Sequence, residues 1–433
     1  MTLDKKSKTI AQPKEAVKQK MGIKTKTDAK PKTDTKLKTD AKPKTDSKPK
    51  TDTKPKVKAK PKPKLAAKPN TAAKAPPPAN SFVTNVATQY VVHVAPDFFE
   101  HWKKSASSLG MTTSKVLHEN FLLCNFDPKQ SSVESAALFL CRFIFPVHHM
   151  WPVKVSSEDF IERASQGILK AFSASYFQNI QIFSPMVGLQ SLCKNLRGRI
   201  LQLAEPTLVK SSKGQFSNWR QDPFKAPTNA GSLYICITSN CVYAGVSTPR
   251  FSGSYYAGGR RFLKTSNEDS ISRASAKIVE AIEHLDLIGC NSSGLMSWLE
   301  LGASPGGMTR ELLSRDKNVV AVDRAHLSHE LQNLPRLKFV QCDARQYSSH
   351  QTFDAILCDM NGDALTSAQT TSNLSKNLKS TGIIIFTLKI ADAGELQYLL
   401  KHVLDSFENK NLKCFSIKHL FHNRQEVTLF FRK

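Results

Sequence analysis

From Leu301 to Thr309 the chain reads LGASPGGMT, with three glycines in six residues directly after the apolar run Ser297 to Leu301. Gly302, Gly306 and Gly307 let the backbone turn tightly and approach a ligand closely, with Ser304 and Pro305 completing the loop at the carboxyl end of a strand. No Lys-Ser or Lys-Thr follows the glycines, so the loop is not a Walker phosphate cradle, nor does it fit GxGxxG. The next apolar run, Val319 to Val322, ends on Asp323, where a carboxylate accepts hydrogen bonds from a ribose diol. A third, Phe339 to Gln341, leads to Asp343, placed to contact an adenine amino group. A glycine turn, two successive strand-end acids and no phosphate-binding lysine suit S-adenosylmethionine better than a dinucleotide.

Further charged residues stand at the ends of later apolar runs. Asp359 follows Ala355 to Cys358, Lys389 follows Ile383 to Leu388, and Glu426 precedes Val427 to Phe431. Taken singly, each has an ordinary explanation: Asp359 as a helix cap, Lys389 as a solvated charge, Glu426 as a cross-strand partner of Arg424 or Arg432. Lys277, on a helix expected over Ser272 to Leu285, reads alone as an exposed charge. Strand-end residues of a parallel sheet share one rim, however, and this puts Asp359 and Lys389 beside the glycine loop.

The elements that must position these residues follow from patterning. From Ser270 onward, almost wholly apolar strands alternate with helices, which predicts a parallel sheet covered on both faces, an α/β domain of the doubly wound nucleotide-binding type. Upstream, strands are expected at Gln89 to Val94, Ile180 to Phe183 and Leu233 to Ile237. Helices are expected at Pro96 to Leu109, Ser157 to Ala171 and Gly188 to Leu201. That pattern describes one or two small α+β layers and assigns them no chemistry.

The chain has 433 residues and a formal charge of +26. Residues 1–80 hold 24 Lys, no Arg and 7 acids, a net +17, with 11 of the 22 Pro and no aromatic residue, Cys or His. Such a segment lacks the apolar surface to offset its ordering entropy and is expected to be a disordered tail. It contains a repeat, KTDAKP, KTDTKL, KTDAKP, KTDSKP and KTDTKP, from Lys26 to Pro55. Spaced prolines and repelling lysines favour extended chain. As a function, it is either an RNA-binding arm acting through counterion release or a solubilising tail. The remaining +9 favours an anionic partner. Nine scattered Cys without a CxxC pair, no secretory signal and no long apolar run argue against a disulfide scaffold, a structural zinc site and a membrane span, and for a reduced, cytoplasmic protein.

Ser272 to Ile278 (SRASAKI), GASPGG, Asp359, Lys389 and Glu426 together resemble the Lys-Asp-Lys-Glu tetrad of FtsJ-type RNA 2′-O-ribose methyltransferases. Cys241 to Gly245 (CVYAG), Tyr255 to Gly259 (YYAGG) and His422 to Thr428 (HNRQEVT) are more similar still to the bacterial ribosomal RNA large subunit methyltransferase M branch. The resemblance spans about residues 85 to 433. It implies a ferredoxin-like α+β unit over 81–155, a THUMP-like RNA-binding module over 156–250 and a Rossmann-like S-adenosylmethionine-dependent domain over 265–433. The implied reaction is methylation of a ribose 2′-hydroxyl, on a cytidine of 23S ribosomal RNA; another RNA, such as tRNA, or a non-catalytic assembly factor are the alternatives. No metal and no membrane partner are expected, and the chain is expected to be a monomer or weak oligomer. Lys389 is implied as the base, deprotonated with the help of burial beside Lys277 and a sulfonium. Asp359 would orient Lys389 and contact the cofactor, Glu426 would hold the lysine pair, and Lys277 would hold the ribose. Ala274 stands where a Ser is expected, Met308 where a Trp is expected, and Asn361-Gly362-Asp363 replaces a more apolar stretch. Lys194, Arg197, Arg199, Lys210, Lys213, Trp219, Arg220 and Lys225, then Arg260, Arg261 and Lys264, are the RNA-facing candidates.

Overall fold

The computed structural model describes residues 87–126, 140–175, 177–211, 228–260 and 274–433. The expected tail of residues 1–80, the side chains of Lys210, Lys213, Trp219, Arg220 and Lys225, and residues Arg261, Lys264, Ser272 and Arg273 lie outside the described residues.

Three sheets follow one another along the chain. In the first, β1 (Gln89–Val94), β2 (Met111–His118), β3 (Phe121–Phe126) and β4 (Cys141–Pro146) are antiparallel in the order β2-β3-β1-β4, with α1 (Phe99–Ser108) between β1 and β2. Trp102 and Ala106, four residues apart and so on one helical face, are the buried side of α1. The second sheet contains β5 (His149–Pro152), β6 (Asn179–Phe183), β7 (Ser232–Ile237) and β8 (Cys241–Ser247) in the order β5-β8-β7-β6, β6 and β7 being parallel. α2 (Phe160–Ala171) and α3 (Gln190–Ser211) cover it through Phe160, Ile168, Leu196 and Ile200. Because β5 pairs with β8, the chain changes sheet between Pro146 and His149. Phe143 and Phe145 of β4 pack on Phe183 and Tyr234 with ring centroids 5.3 to 6.0 Å apart, joining the two small sheets.

The third sheet has seven strands: β9 (Ser297–Leu301), β10 (Asn318–Asp323), β11 (Leu337–Gln341), β12 (Phe353–Cys358), β13 (Leu378–Lys389), β14 (Lys413–Lys418) and β15 (Glu426–Arg432). Their order is β11-β10-β9-β12-β13-β15-β14, parallel except for β15, which runs antiparallel to both β13 and β14. Four helices flank it: α4 (Ala274–Leu287), α5 (Gly307–Ser314), α6 (Ala364–Leu374) and α7 (Leu396–Glu408). Alternate side chains enter opposite layers, as strand pleating requires. Trp298, Leu357 and Ile385 pack with Ile278 and Leu312, whereas Leu299, Ile356 and Phe386 pack with Ala368, Leu400 and Val403. Both faces of the central strands are covered, and β9, β10 and β12 are therefore largely apolar, whereas the edge strands β11 and β14 are only partly buried. The same layer as Leu299 continues into Val92, Phe98 and Trp102, so the first sheet shares a core with the seven-stranded one.

This is a mixed α/β chain with a Rossmann-like C-terminal sheet. Strand order reverses between β9 and β12, and the crevice beyond their carboxyl ends is where such sheets bind ligands. β14 is absent from the sequence reading, because KCFSIK carries two lysines and only half-buries its middle residues. Among the described residues no helix is long and apolar enough to cross a membrane, and no group of three or more His, Cys, Asp or Glu could hold a metal ion.

Candidate active site

β9 delivers the glycine loop into this crevice. Gly302 has φ +81°, and a Cβ there would stand 2.8 Å from Met360 Cα and 2.9 Å from Met360 N, so only glycine lets the two strand ends approach. Gly306, φ +108°, is the residue before α5, where a Cβ would overlap Leu331. Asp323 braces the loop: its Oδ2 accepts from Ser304 N at 2.9 Å and its Oδ1 from Ala325 N at 2.8 Å. Asp343 is gripped by Arg345, whose Nε and Nη2 donate to its two oxygens at 3.0 and 2.7 Å. These side-chain hydrogen bonds, with another from the Arg345 backbone, hold the Asp343 carboxyl well below the usual carboxylate range. Gly302, Ser304, Pro305, Gly307, Asp323 and Asp343 all line one cleft of ≈ 1160 Å³; Gly306 is not among its lining residues.

Lys277, Asp359, Lys389 and Glu426 line the same cleft. They form a closed ring of alternating charge. Lys389 Nζ donates to Asp359 Oδ1 at 2.6 Å and to Glu426 Oε1 at 2.8 Å. Lys277 Nζ lies 3.4 Å from Asp359 Oδ2 and 2.5 Å from Glu426 Oε2. Three elements make the ring. Asp359 is the first residue past β12, and the β13/β15 ladder pairs Lys389 directly with Glu426. Lys277 comes from the first turn of α4. The four side chains are 12 to 20% exposed, so Lys277 is not a free surface charge, and Glu426 pairs with the two lysines in place of Arg424 or Arg432.

The electrostatics differ from the sequence expectation in one respect. Burial pushes Lys389 down, but Asp359 and Glu426 outweigh it and hold its pKa above that of an ordinary lysine. Burial likewise works against the Glu426 carboxylate, yet the two lysines bring it below its ordinary value. The ring sums to zero charge with both lysines protonated. Burial and Lys277 therefore do not by themselves free Lys389 of its proton.

Glu300 escaped the sequence reading. It is 2% exposed at the foot of the glycine loop, lines the cleft, and accepts from Thr309 Oγ1 at 2.7 Å. Burial pushes its carboxyl up to about 8, with Asp359 and Asp323 adding to the rise against the Thr309 hydrogen bond. A single acid inside SWLEL, an otherwise apolar strand, was the available signal. Met308 is buried in the core and, like Ala274, lies on the cleft lining. Two of the basic residues upstream have internal partners. Arg197 Nε donates to Ile180 O at 3.1 Å, and Arg199 forks onto Glu162 at 2.7 and 3.1 Å. Arg260 lies over the Phe121 ring, 4.9 Å from its centroid.

Residues 270–418 match the family described as FtsJ-like methyltransferase. The protein named ribosomal RNA large subunit methyltransferase M of Pseudomonas paraeruginosa (strain PA7) is 29% identical over 199 residues, which cover 44% of this chain and 56% of that one. Its namesake in Shewanella woodyi is 28% identical over 215 residues, covering 46% and 57%. The chain thus spans about half the length of the curated relatives it matches. A solved 1,6-didemethyltoxoflavin-N1-methyltransferase from Burkholderia thailandensis aligns at 19% identity and a TM-score of 0.29, over 37% of this chain and 79% of that one, a likeness too distant to bear on the chemistry. Residues 270–418 thus resemble an FtsJ-like methyltransferase domain, and curated relatives that the chain matches over about half their length are named ribosomal RNA large subunit methyltransferase M.

Proposed function

We propose that the protein is an S-adenosylmethionine-dependent RNA 2′-O-ribose methyltransferase whose substrate is a cytidine of large-subunit (23S) ribosomal RNA. The observation that carries this is the closed Lys277–Asp359–Lys389–Glu426 ring on the rim of the glycine-loop cleft. A cleft of ≈ 1160 Å³ with a loop that admits no Cβ at Gly302 and carboxylates at two successive strand ends suits an adenosine-bearing cofactor. Gly302, Ser304, Pro305 and Gly307 would approach it with backbone, Asp323 would hold the ribose, and Asp343 the adenine side. Gly306 would hold the loop's turn open. When bound, S-adenosylmethionine supplies an electrophilic methyl group on a sulfonium.

The chain's own residues then do the rest. Lys277 holds the target ribose and Lys389 accepts the proton of its 2′-hydroxyl, while Asp359 and Glu426 fix both amines at hydrogen-bond distance. Positive charge entering beside this ring opposes the protonated form of Lys389, which then releases its proton to act as the base. Upstream, the βαββ order of the first sheet with β4 beside β1 supports a ferredoxin-like unit that ends at Pro146, short of the expected 155, because β5 (His149–Pro152) joins the second sheet. We assign the THUMP-like RNA-binding module expected over 156–250 to the second sheet, whose first strand, β5, already begins at His149. We place the protein in the cytoplasm, as a monomer or weak oligomer acting without a metal.

The test is methyl transfer from labelled S-adenosylmethionine to ribosomal and transfer RNA from cells lacking the protein, with the modified ribose mapped. Labelling of a 23S cytidine by the wild type and none by Lys389→Ala is expected. Labelling confined to transfer RNA would replace the substrate, and cofactor binding without transfer to any RNA would favour a non-catalytic assembly factor.

A further inference from the structure

Phe421, His422, Asn423 and Arg424 line the same cleft, in the turn between β14 and β15 that runs into Glu426. This turn is held chiefly from outside itself. Glu280, three residues past Lys277 on α4, aims both carboxylate oxygens at the turn's backbone: Phe421 N donates to Oε1 at 2.7 Å and His422 N to Oε2 at 3.1 Å. Arg142, on β4 of the first sheet, also reaches the turn. Its Nη2 donates to Asn423 O at 3.2 Å, its Nε to His419 Nδ1 at 3.0 Å, and its guanidinium lies 5.6 Å from the Phe421 ring centroid.

The histidine extends the grip. Since Nδ1 accepts from Arg142, the ring proton sits on Nε2, which donates to Arg424 O at 3.0 Å. Lys418 Nζ reaches back to β4, donating to the carbonyls of Cys141 and Arg142 at 2.9 and 3.1 Å. Glu280 and Arg142 thus hold three consecutive rim residues, 421 to 423, by charge-assisted hydrogen bonds, and His419 holds the carbonyl of the fourth, Arg424. Two residues later the chain presents Glu426 to Lys277 and Lys389.

The structure assigns Glu280 and Arg142 as positioning residues that fix the turn 421–424, and through it the placement of Glu426, so that the first sheet completes the active site. Neither touches the ring. Their effect on chemistry rests on the methyl-transfer function proposed above; their effect on the turn does not. Losing either would free the turn and let Glu426 drift from the lysine pair, lowering turnover without removing any group that lines the cofactor side of the cleft.

The experiment uses the full chain with Glu280→Gln, Arg142→Lys, Arg142→Ala and the Glu280→Gln/Arg142→Ala double variant. Amide hydrogen exchange across 419–426, calorimetric binding of S-adenosylmethionine and steady-state methyl transfer to RNA are measured for each. Glutamine offers one acceptor where two N–H groups need one each, and lysine keeps the charge of Arg142 but not its fork. Exchange at 421–422 is expected to rise and kcat to fall by about tenfold or more, as loss of a charge-assisted bond would cause, with cofactor affinity kept within about twofold. Arg142→Lys should fall between wild type and Arg142→Ala. The double variant should fall short of the product of the single effects, since both residues act on one turn. Lys389→Ala, by contrast, should lose transfer with exchange at 421–422 unchanged. Wild-type exchange in Glu280→Gln and Arg142→Ala would overturn the assignment, as would faster exchange with undiminished kcat. A wild type that transfers no methyl group would sink the proposed function, leaving exchange to decide the positioning.

Discussion

Replacing Glu426 by Gln tests whether the ring sets the reactivity of Lys389. Glu426 Oε1 lies 2.8 Å from Lys389 Nζ, and Lys389 is only 20% exposed. At an effective dielectric of about 20, removing a unit charge at that distance is worth up to about 6 kcal/mol, or about 4 pKa units. Partial solvation reduces this, and opposite charges at close range shift pKa values by about 1 to 3 units in proteins. A fall of about 2 units in the Lys389 pKa is therefore expected. The sign follows from the structure: Lys389 is held above its ordinary value by Asp359 and Glu426, so losing one anion favours the neutral amine. If the neutral amine is the base, the acid limb of the kcat profile moves down by about 2 pH units, even where misplacement of the ring lowers the plateau. The assay is single-turnover methyl transfer across pH, which isolates the chemical step. A lower plateau with an unmoved limb would refute Lys389 as the titrating group.

Three further outcomes are expected. Glu300→Gln should flatten the pH dependence of stability: the folded carboxyl titrates at about 8 against an ordinary 4.5, so the folded state keeps a proton that the unfolded chain has released. Wild-type stability should thus fall relative to Glu300→Gln as pH rises from 5 to 8, by roughly 1.4 kcal/mol per pH unit at most, read as a difference in melting temperature at each pH. Parallel curves would show that Glu300 ionises normally. Gly302→Ala should cost about 1 to 3 kcal/mol and abolish cofactor binding by calorimetry, because the new methyl meets Met360 backbone; binding within twofold of wild type would rule out a close approach there. Deleting residues 1–80, with 24 lysines, should weaken RNA binding and flatten its salt dependence without moving the modified nucleotide. The log–log slope should change by about 0.7 to 0.9 for each phosphate that the tail had neutralised. An unchanged slope would leave the tail a solubilising segment.

The strands of the large sheet were legible because both of their faces are buried. Ser297–Leu301 matches its expected limits, as does Gln89–Val94 in the first sheet, and the other expected strands of the large sheet begin or end within a few residues of theirs. β14 was not, since a half-covered strand with a lysine at each end lacks the apolar run that marks a buried one. Strand ends follow from strands, so the rim residues Gly302, Asp323, Asp359 and Lys389 could be named before any coordinates. Some neighbours were local enough to read as well, such as Arg345 two residues from Asp343.

Sequence alone thus determined which groups stand on the rim, because a parallel sheet sends every strand end to the same edge and apolar runs reveal where the strands stop. Only tertiary structure decided how those groups are charged and held. Lys277 meets Glu426 across 149 positions, and the β13/β15 register sets Glu426 against Lys389. Arg142 reaches the turn before Glu426 from a different sheet. Coulomb energy and hydrogen bonding depend on separations of a few ångströms, and spacing along the chain carries no such distance once a fold has brought remote segments together.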